Sequence, residues 1–146
     1  MRLFIAIFIA IGFLVFAPAM AADAAHTALL YKNPQCGCCE TYADYLRENG
    51  YEVTVKATHD LTLINQDLGV PPHLEGCHTT LLDGYVIQGH VPVAMINRLL
   101  DERPAIIGIS LPGMPMGSPG MAGEKTEPFV IYEITKDGGE RVFPTE

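Results

Sequence analysis

Apolar and polar residues alternate along the chain in blocks that predict strands and helices in turn. The apolar run at residues 27–32 is typical of a buried strand. After Pro34, apolar residues recur at three- and four-residue spacing as far as Gly50, which favours a helix ending at a glycine cap. Residues 51–57 alternate and include β-branched side chains, so a second strand follows. This part of the pattern predicts a parallel β-α-β unit.

The middle of the chain adds a short helix, a hairpin and a longer helix. The short helix is predicted over residues 61–69. Residues 77–89 are typical of two short strands around Asp83-Gly84, a strong hairpin turn signal. Residues 91–103 place a proline in the first turn and apolar side chains on one face, which predicts an amphipathic helix. The predicted fold class is therefore α/β, with the β-α-β-α-β-β-α order of the thioredoxin core.

Two segments follow this core. Residues 104–128 are rich in Gly, Pro and Met, and this composition predicts an irregular loop with neither helix nor strand. Residues 129–143 are apolar at both ends and contain Asp137-Gly138-Gly139, which predicts a C-terminal hairpin added to a sheet edge.

The N-terminal segment predicts the compartment of the protein. Arg2 precedes a long apolar run that ends in Ala19-Met20-Ala21, the pattern of a secretory signal peptide cut after Ala21. The alternative is an uncleaved membrane anchor, but the small-residue site favours removal. We therefore expect a signal peptide at residues 1–21 and one domain at residues 27–146, exported to the periplasm and free of the membrane after cleavage.

The negative net charge of the chain argues against nucleic acid as a partner. Without the signal peptide the chain has 8 Lys and Arg against 17 Asp and Glu, and the cations form no cluster. A protein that binds nucleic acid needs a basic surface to neutralise phosphates, so nucleic acid is not an expected partner.

The four cysteines predict chemistry more than scaffolding. Cys36, Cys38 and Cys39 crowd into four positions, and Cys77 lies further along the chain. Adjacent cysteines are poorly placed to form a disulfide with each other, and three crowded thiols make a poor framework of disulfides between distant segments. Cys36 and Cys39 have CxxC spacing at the start of the first helix, where the helix dipole lowers a thiol pKa, so Cys36 is the expected reactive end.

Histidines accompany the fourth cysteine. In a thioredoxin-like fold the loop before the hairpin faces the CxxC pair, and here it carries Cys77 and His78 where a proline is usual. A loop after the hairpin places His90 nearby, either as a ligand or as a surface residue that caps the turn. Cysteine and histidine are both good ligands for copper or zinc. The remaining histidines are interpreted as solvated loop residues: His26, His59 and His73.

Three methionines in the irregular loop are candidate soft ligands. Met114, Met116 and Met121 all lie within ten residues, and thioether sulfur can bind Cu(I) even in an oxidising compartment. The alternative is that they fill gaps against the core. Because the same chain carries the clustered cysteines and His78, copper binding by the methionines is favoured over core filling.

Three stretches together resemble the CopG-type periplasmic copper-resistance proteins: "KNPQCGCCETYADYLRENGYEV", "GCHTTLLDGYVIQGHVP" and "PGMPMGSPGM". The likeness covers residues 28–143. It implies a thioredoxin-like fold and a thiolate-bridged multinuclear copper cluster on Cys36, Cys38 and Cys39. It also implies a role in copper redox conversion beside periplasmic copper export, with copper ions and export or chaperone proteins as partners. The further ligands implied are Cys77, His78, His90, Met114, Met116 and Met121.

Three functions compete on these observations. The first is a copper-binding resistance protein, with oxidoreductase activity toward copper as one form of that role. The second is a thiol-disulfide oxidoreductase using Cys36 and Cys39, against which the extra Cys38 and the absent loop proline count. The third is a zinc-stabilised structural module, which would leave the methionine loop without a purpose. Bridging sulfurs let clustered thiolates share several Cu(I) ions, which favours a cluster over one mononuclear site.

Overall fold

The computed structural model of the protein describes residues 26–144. The elements run in the following order: β1 (Thr27–Lys32), α1 (Gly37–Glu48), β2 (Glu52–Ala57), α2 (Leu61–Asp67), a 3-10 turn (Pro72–Leu74), β3 (His78–Leu82), β4 (Tyr85–Gly89), α3 (Val93–Glu102), β5 (Gly108–Leu111), β6 (Tyr132–Ile134) and β7 (Arg141–Val142). The α/β class and the predicted β-α-β-α-β-β-α order are confirmed. The predicted signal peptide, residues 1–21, lies outside the described residues.

One mixed sheet of seven strands, in the order β2-β1-β3-β4-β5-β6-β7, forms the centre of the fold. Strand β1 pairs with β2 in parallel and with β3 in antiparallel, and the β1–β3 register sets Lys32 opposite His78. The end of β1 therefore lies beside the start of β3. This pairing brings the turn that carries Cys36 next to the loop that carries Cys77.

The β3–β4 hairpin turns at the two residues that the sequence predicted. Asp83 and Gly84 have φ of 48° and 85°, the left-handed pair that a two-residue hairpin requires. Their left-handed backbone twists with the strands, so the hairpin closes without splaying.

The structure differs from the prediction between Pro104 and Pro128. Residues 108–111 form strand β5, which pairs in parallel with β4 and is buried along its length. Gly108 is needed here, because a Cβ atom would lie 1.8 Å from the carbonyl oxygen of Val86. The loop prediction rested on the Gly, Pro and Met content of the whole segment. That content does not describe residues 108–111, whose side chains fit a buried strand. The loop without regular structure begins after Leu111.

The C-terminal hairpin extends the edge of the sheet, as predicted, with strands of only three and two residues. Its turn is held by Asp137, whose carboxylate accepts the N–H of Gly139 at 3.1 Å, and Gly138 has a φ of 70°. The short ladder matches the few alternating residues that flank the turn.

Helices α1 and α3 share one hydrophobic core with the sheet. Tyr42 and Leu46 of α1 and Ile96 and Leu99 of α3 are fully buried in it. Burying one such side chain contributes about 1.5–3 kcal/mol. A smaller cluster around Val70 and other residues covers the opposite side of the hairpin. Within residues 26–144, no helix combines the length and apolar character needed to cross a membrane.

Candidate metal centre

The cysteine turn begins where strand β1 ends. Pro34 cannot continue the ladder, and the side-chain oxygen of Asn33 accepts the N–H of Gln35 at 3.1 Å. The N–H of Cys36 then bonds the carbonyl of Asn33 at 3.0 Å, and Cys36 takes the extended backbone of an N-cap residue. Cys36, Cys38 and Cys39 therefore lie at the positive end of the α1 dipole, where a thiolate is favoured.

Four cysteine sulfurs converge at this helix start. Cys36 and Cys39 form a disulfide, whereas Cys38 and Cys77 are free thiols. The Cys38 sulfur lies 3.5 Å from that of Cys36, and the Cys77 sulfur lies 3.3 Å from that of Cys39. All four sulfurs fall within 4.8 Å of one another. Cys77 is therefore not part of a disulfide in this structure.

Two buried histidines extend the sulfur cluster. The Cys77 sulfur lies 3.5 Å from Nδ1 of His78 and 3.7 Å from Nε2 of His90. Both imidazoles are fully buried, with ring centres 5.0 Å apart, and both pack on the ring of Tyr42. His90 is therefore not a surface residue capping a turn, which removes the alternative that the sequence left open. The donor atoms of Cys77, His78 and His90 form a second group within 4.8 Å.

A hydrogen bond fixes the protonation of His90. Its Nδ1 lies 2.6 Å from the carbonyl oxygen of Pro119, which can only accept, so Nδ1 carries the proton. The lone pair then belongs to Nε2, the nitrogen that faces Cys77. A ring held in this way by its second nitrogen is the usual arrangement of a metal-binding histidine.

Burial disfavours the charged forms of Cys77, His78 and His90. Burial first and the adjacent His90 second lower the pKa of His78 to about 3, against a smaller opposing effect of the Gly89 backbone. Burial also lowers the pKa of His90, against the bond to Pro119. The Cys77 thiol has its pKa raised to about 12, by burial first and the neighbouring Cys38 second. Neutral imidazoles offer lone pairs to a metal directly, whereas Cys77 must release a proton to bind one.

One nitrogen of His78 stands out among the buried polar atoms of the described residues. Nε2 of His78 is fully buried and lacks a hydrogen-bond partner of normal geometry within residues 26–144. A buried polar atom without a partner costs about 1–3 kcal/mol, so such an atom is unusual unless a ligand satisfies it. The atom is consistent with a ligand role for this side chain.

The methionine loop reaches the site through its last residues. Gly120 packs so closely on α1 that a Cβ atom would lie 2.8 Å from the backbone nitrogen of Tyr42. With Pro119 bonded to His90, this contact sets the segment before Met121 against the histidines. Met114 and Met121 are partly buried.

Met116 occupies a different place from the sulfur cluster. It is 64% exposed and lines a surface groove of about 340 Å³ together with Phe129 and Tyr132, and none of the cysteines or histidines lines that groove.

The three histidines that were predicted to be solvated loop residues lie at the surface. His26 pairs with Asp83 at 2.6 Å, and His59 and His73 are exposed.

Buried polar residues behind the site went unpredicted. The amide of Gln88 accepts the N–H of Gly76 at 2.9 Å and donates to Asn65 at 2.8 Å, and Thr79 also donates to Asn65. This network anchors the loop that carries Cys77. The signal was a glutamine in a strand whose other residues are apolar or glycine, which implies a buried partner.

Lys32 is a second buried polar residue of the site that its residue type did not predict. Its side chain is only 6% exposed and its ammonium contacts the cysteine turn. A lysine at the end of a buried strand, one residue before the turn, was the available signal.

A family model described as a protein of unknown function, DUF411, matches residues 74–121, the part that runs from the Cys77 loop to Met121. None of the curated proteins matches the chain.

Two solved structures are similar over most of the chain. A structure named copper resistance protein CopG, form 2, is 34% identical, covers 83% of this chain and 100% of its own, and has a TM-score of 0.75. Form 1 is 35% identical, covers 82% of this chain and 95% of its own, and has the same TM-score. The likeness therefore extends over essentially the whole length of the solved chains.

Proposed function

The chain belongs to the family of the CopG copper resistance proteins, and on that premise we propose that it binds Cu(I) in the periplasm as part of copper resistance. The observation that carries the proposal is the convergence of four cysteine sulfurs within 4.8 Å. Thiolate sulfur is a soft donor that suits Cu(I), and the adjacent imidazoles are also good copper ligands. Copper is the cargo of the protein in this proposal.

The bound copper is multinuclear in this proposal. Cys38 and Cys39 are consecutive residues, so their sulfurs serve two ions more easily than one. Cys77 belongs both to the four-sulfur group and to the group with His78 and His90, which makes it a natural bridge between ions. Cu(I) accepts low coordination numbers, so shared sulfurs can satisfy several ions.

Copper redox conversion is the second part of the proposal. Oxidation of the Cys36 and Cys39 thiols to their disulfide releases two electrons and two protons. Reduction of two Cu(II) ions to two Cu(I) ions consumes two electrons. The Cys36–Cys39 disulfide is the oxidised product of this exchange and no longer offers thiolates. The Cu(I) ions formed would then be held by Cys38 and Cys77, whose free thiols lie 3.5 Å and 3.3 Å from the disulfide sulfurs of Cys36 and Cys39.

The proposal includes the methionine loop and the route of the copper. Met114, Met116 and Met121 are proposed as thioether ligands. The best support is for Met121, whose neighbours contact His90 and α1, and the least is for Met116, whose exposed side chain would have to leave its separate groove to reach the sulfur cluster. Copper would pass between this protein and periplasmic export or chaperone proteins. The predicted signal peptide at residues 1–21 and the single domain at residues 27–146 are part of the same proposal.

Anaerobic Cu(I) titration of the fully reduced, exported protein tests the proposal. We expect more than one copper per chain, with ultraviolet absorption from copper-bound thiolates growing in proportion to the bound metal. A parallel titration with Zn²⁺ is the control for a structural zinc module. No bound copper, or one tightly bound zinc and no copper, would refute the proposal.

A thiol-disulfide oxidoreductase is the second candidate function, favoured by the Cys36–Cys39 disulfide at a helix start. It predicts that the copper-free protein reduces disulfides or oxidises dithiols of other proteins. Insulin reduction with dithiothreitol separates the two functions. Catalysis at a rate typical of thioredoxins without copper binding supports the second candidate.

A further inference from the structure

The ammonium group of Lys32 is buried under the cysteine turn. Its nitrogen donates to the carbonyl oxygens of Cys36 at 3.1 Å, Pro34 at 3.4 Å and Asn33 at 3.5 Å. A buried charge is costly unless several partners compensate it, so these contacts are specific rather than incidental. One side chain at the end of β1 thus bonds three carbonyls of the four-residue turn that leads into α1.

Glu40 completes the arrangement from the helix side. Its carboxylate lies 3.1 Å from the Lys32 ammonium, and Glu40 belongs to the first turn of α1 directly after Cys39. Glu40 is 54% exposed, so water weakens the attraction of this pair, although it joins the helix to the strand end. We call Lys32 and Glu40 the turn clasp.

The clasp acts on the backbone that carries the sulfurs. Because the peptide unit is planar and trans, a carbonyl of Cys36 that points at Lys32 directs the N–H of Gly37 the opposite way, away from the ammonium. The bonds to Asn33, Pro34 and Cys36 therefore fix the carbonyl directions of three of the four residues in the turn. They also occupy carbonyl oxygens that would repel a thiolate if they turned toward it.

We propose that the Lys32–Glu40 clasp positions the cysteine turn, holding Cys36, Cys38 and Cys39 in the arrangement that binds copper and forms the disulfide. The copper part of this inference rests on the proposed function. Lys32 acts through the backbone carbonyls and Glu40 acts through Lys32, and neither is a metal ligand.

Copper binding tests the first half of the inference. The variants are Lys32→Met, which keeps the length of the stem but removes the donors, and Glu40→Gln, which removes the carboxylate charge at a half-exposed site. The matched controls are Lys56→Met and Glu48→Gln, which remove the same charges from exposed positions on β2 and at the far end of α1. Cu(I) affinity is measured against a competing chelator in the reduced protein at 25 °C.

We expect Lys32→Met to lower Cu(I) affinity at least about tenfold, and Glu40→Gln about threefold, as is typical when a group that orients ligands is removed. The absorption per bound copper should also change in Lys32→Met, because the sulfur arrangement differs. The two control variants should match the wild type. A Lys32→Met protein that is merely less stable would keep both the wild-type affinity and the wild-type spectrum well below its melting temperature, and that result would overturn the inference.

A measurement without copper tests the second half. The Cys36–Cys39 disulfide is equilibrated with reduced and oxidised dithiothreitol, and the disulfide fraction is read by alkylation and mass spectrometry. Loosening the turn lowers the effective concentration of one thiol at the other, so Lys32→Met should shift the equilibrium constant at least about threefold toward the dithiol. If both clasp variants have the disulfide equilibrium of the wild type, the inference is overturned, whether or not the protein binds copper. If the only failure is that the wild-type protein does not bind copper, the proposed function alone is refuted. If Lys32→Met does not fold, Glu40→Gln decides both measurements by the same criteria.

Discussion

The sulfur of Cys77 lies 3.7 Å from Nε2 of His90, and the other ring nitrogen of His90 is held by the carbonyl of Pro119. The imidazole is thus locked with its lone pair toward the thiol. Three chain segments meet at this one contact: the loop before β3, the end of β4 and the methionine loop. Each can therefore be tested by how it changes metal binding.

The two cysteines of the disulfide should both be required for copper. We expect Cys36→Ser and Cys39→Ser each to abolish tight Cu(I) binding, because each removes a thiolate from the positive end of α1. Anaerobic titration with a competing chelator measures the affinity, and far-UV circular dichroism controls for folding. Either variant binding the full copper load with unchanged affinity would place the site elsewhere.

The loop methionines should matter for copper and little for stability. Replacing Met114, Met116 and Met121 together by Leu keeps bulk and apolarity, so we expect a loss of stability below about 1.5 kcal/mol per site and clearly weaker copper binding. Met95→Leu on α3, where Met95 packs against the core, is the matched control and should leave copper binding unchanged. Unchanged stoichiometry and affinity with much earlier melting would mean that the three methionines are core filler.

Gly120 should be irreplaceable where the methionine loop meets α1. Its φ is +79°, and a Cβ atom would lie 2.8 Å from the backbone nitrogen of Tyr42. We expect Gly120→Ala to cost about 1–3 kcal/mol and to weaken copper binding by displacing Pro119 from His90. Gly113→Ala is the control, since Gly113 has a φ of +78° but open space around its Cβ position. Equal effects of both variants on copper affinity would contradict the prediction.

The copper-free protein should lose stability in mild acid. The pKa of His78 is lowered to about 3, so the folded imidazole stays neutral while the unfolded one, near 6.5, takes up a proton. The contribution of the neutral His78 imidazole to the free energy of unfolding is fully present above about pH 6.5 and is lost as the pH falls toward 3. At pH 5 the loss is roughly 2 kcal/mol.

Urea unfolding at pH 7 and pH 5 measures this effect. His78→Asn should have a smaller difference between the two pH values than the wild type, whereas the exposed-site control His73→Asn should keep it. A wild-type protein equally stable at both values would show that protonation of His78 is not linked to folding.

Export should remove the first 21 residues. The site Ala19-Met20-Ala21 follows a long apolar run, so the mature protein is expected to begin at Ala22. Intact-mass measurement of periplasmic protein checks this, with Ala21→Leu as a variant expected to slow cleavage. Retention of Met1 would refute it.

The element order and the approach of Cys77 to the other cysteines followed from local patterns in the sequence. Asp83-Gly84 specified its turn, and β1 and β3 were each recognisable, so their adjacency followed from the fold class. The bond from His90 to Pro119 was not predictable, because it joins a strand end to an irregular loop 29 residues away. Strand β5 was hidden for a related reason: its pairing with β4 outweighs a composition that favours loop.

The buried role of Lys32 was missed because lysine is normally a surface residue. Its partners are main-chain carbonyls, which leave no trace in side-chain composition. Only the backbone path of the turn reveals them.

The split of the sulfur donors between two chain segments has a consequence for the order of assembly. Cys39 and Cys77 are 38 residues apart, whereas Cys36, Cys38 and Cys39 are neighbours at every stage. Bringing two points together across a flexible loop of that length costs about 3 kcal/mol because the chain loses entropy. The pairing of β1 with β3 offsets this cost in the folded protein. An unfolded chain therefore presents a local three-thiol chelator, and only a folded one adds the fourth sulfur and the imidazoles. Metal that arrives before folding meets a different ligand set from metal that arrives afterwards.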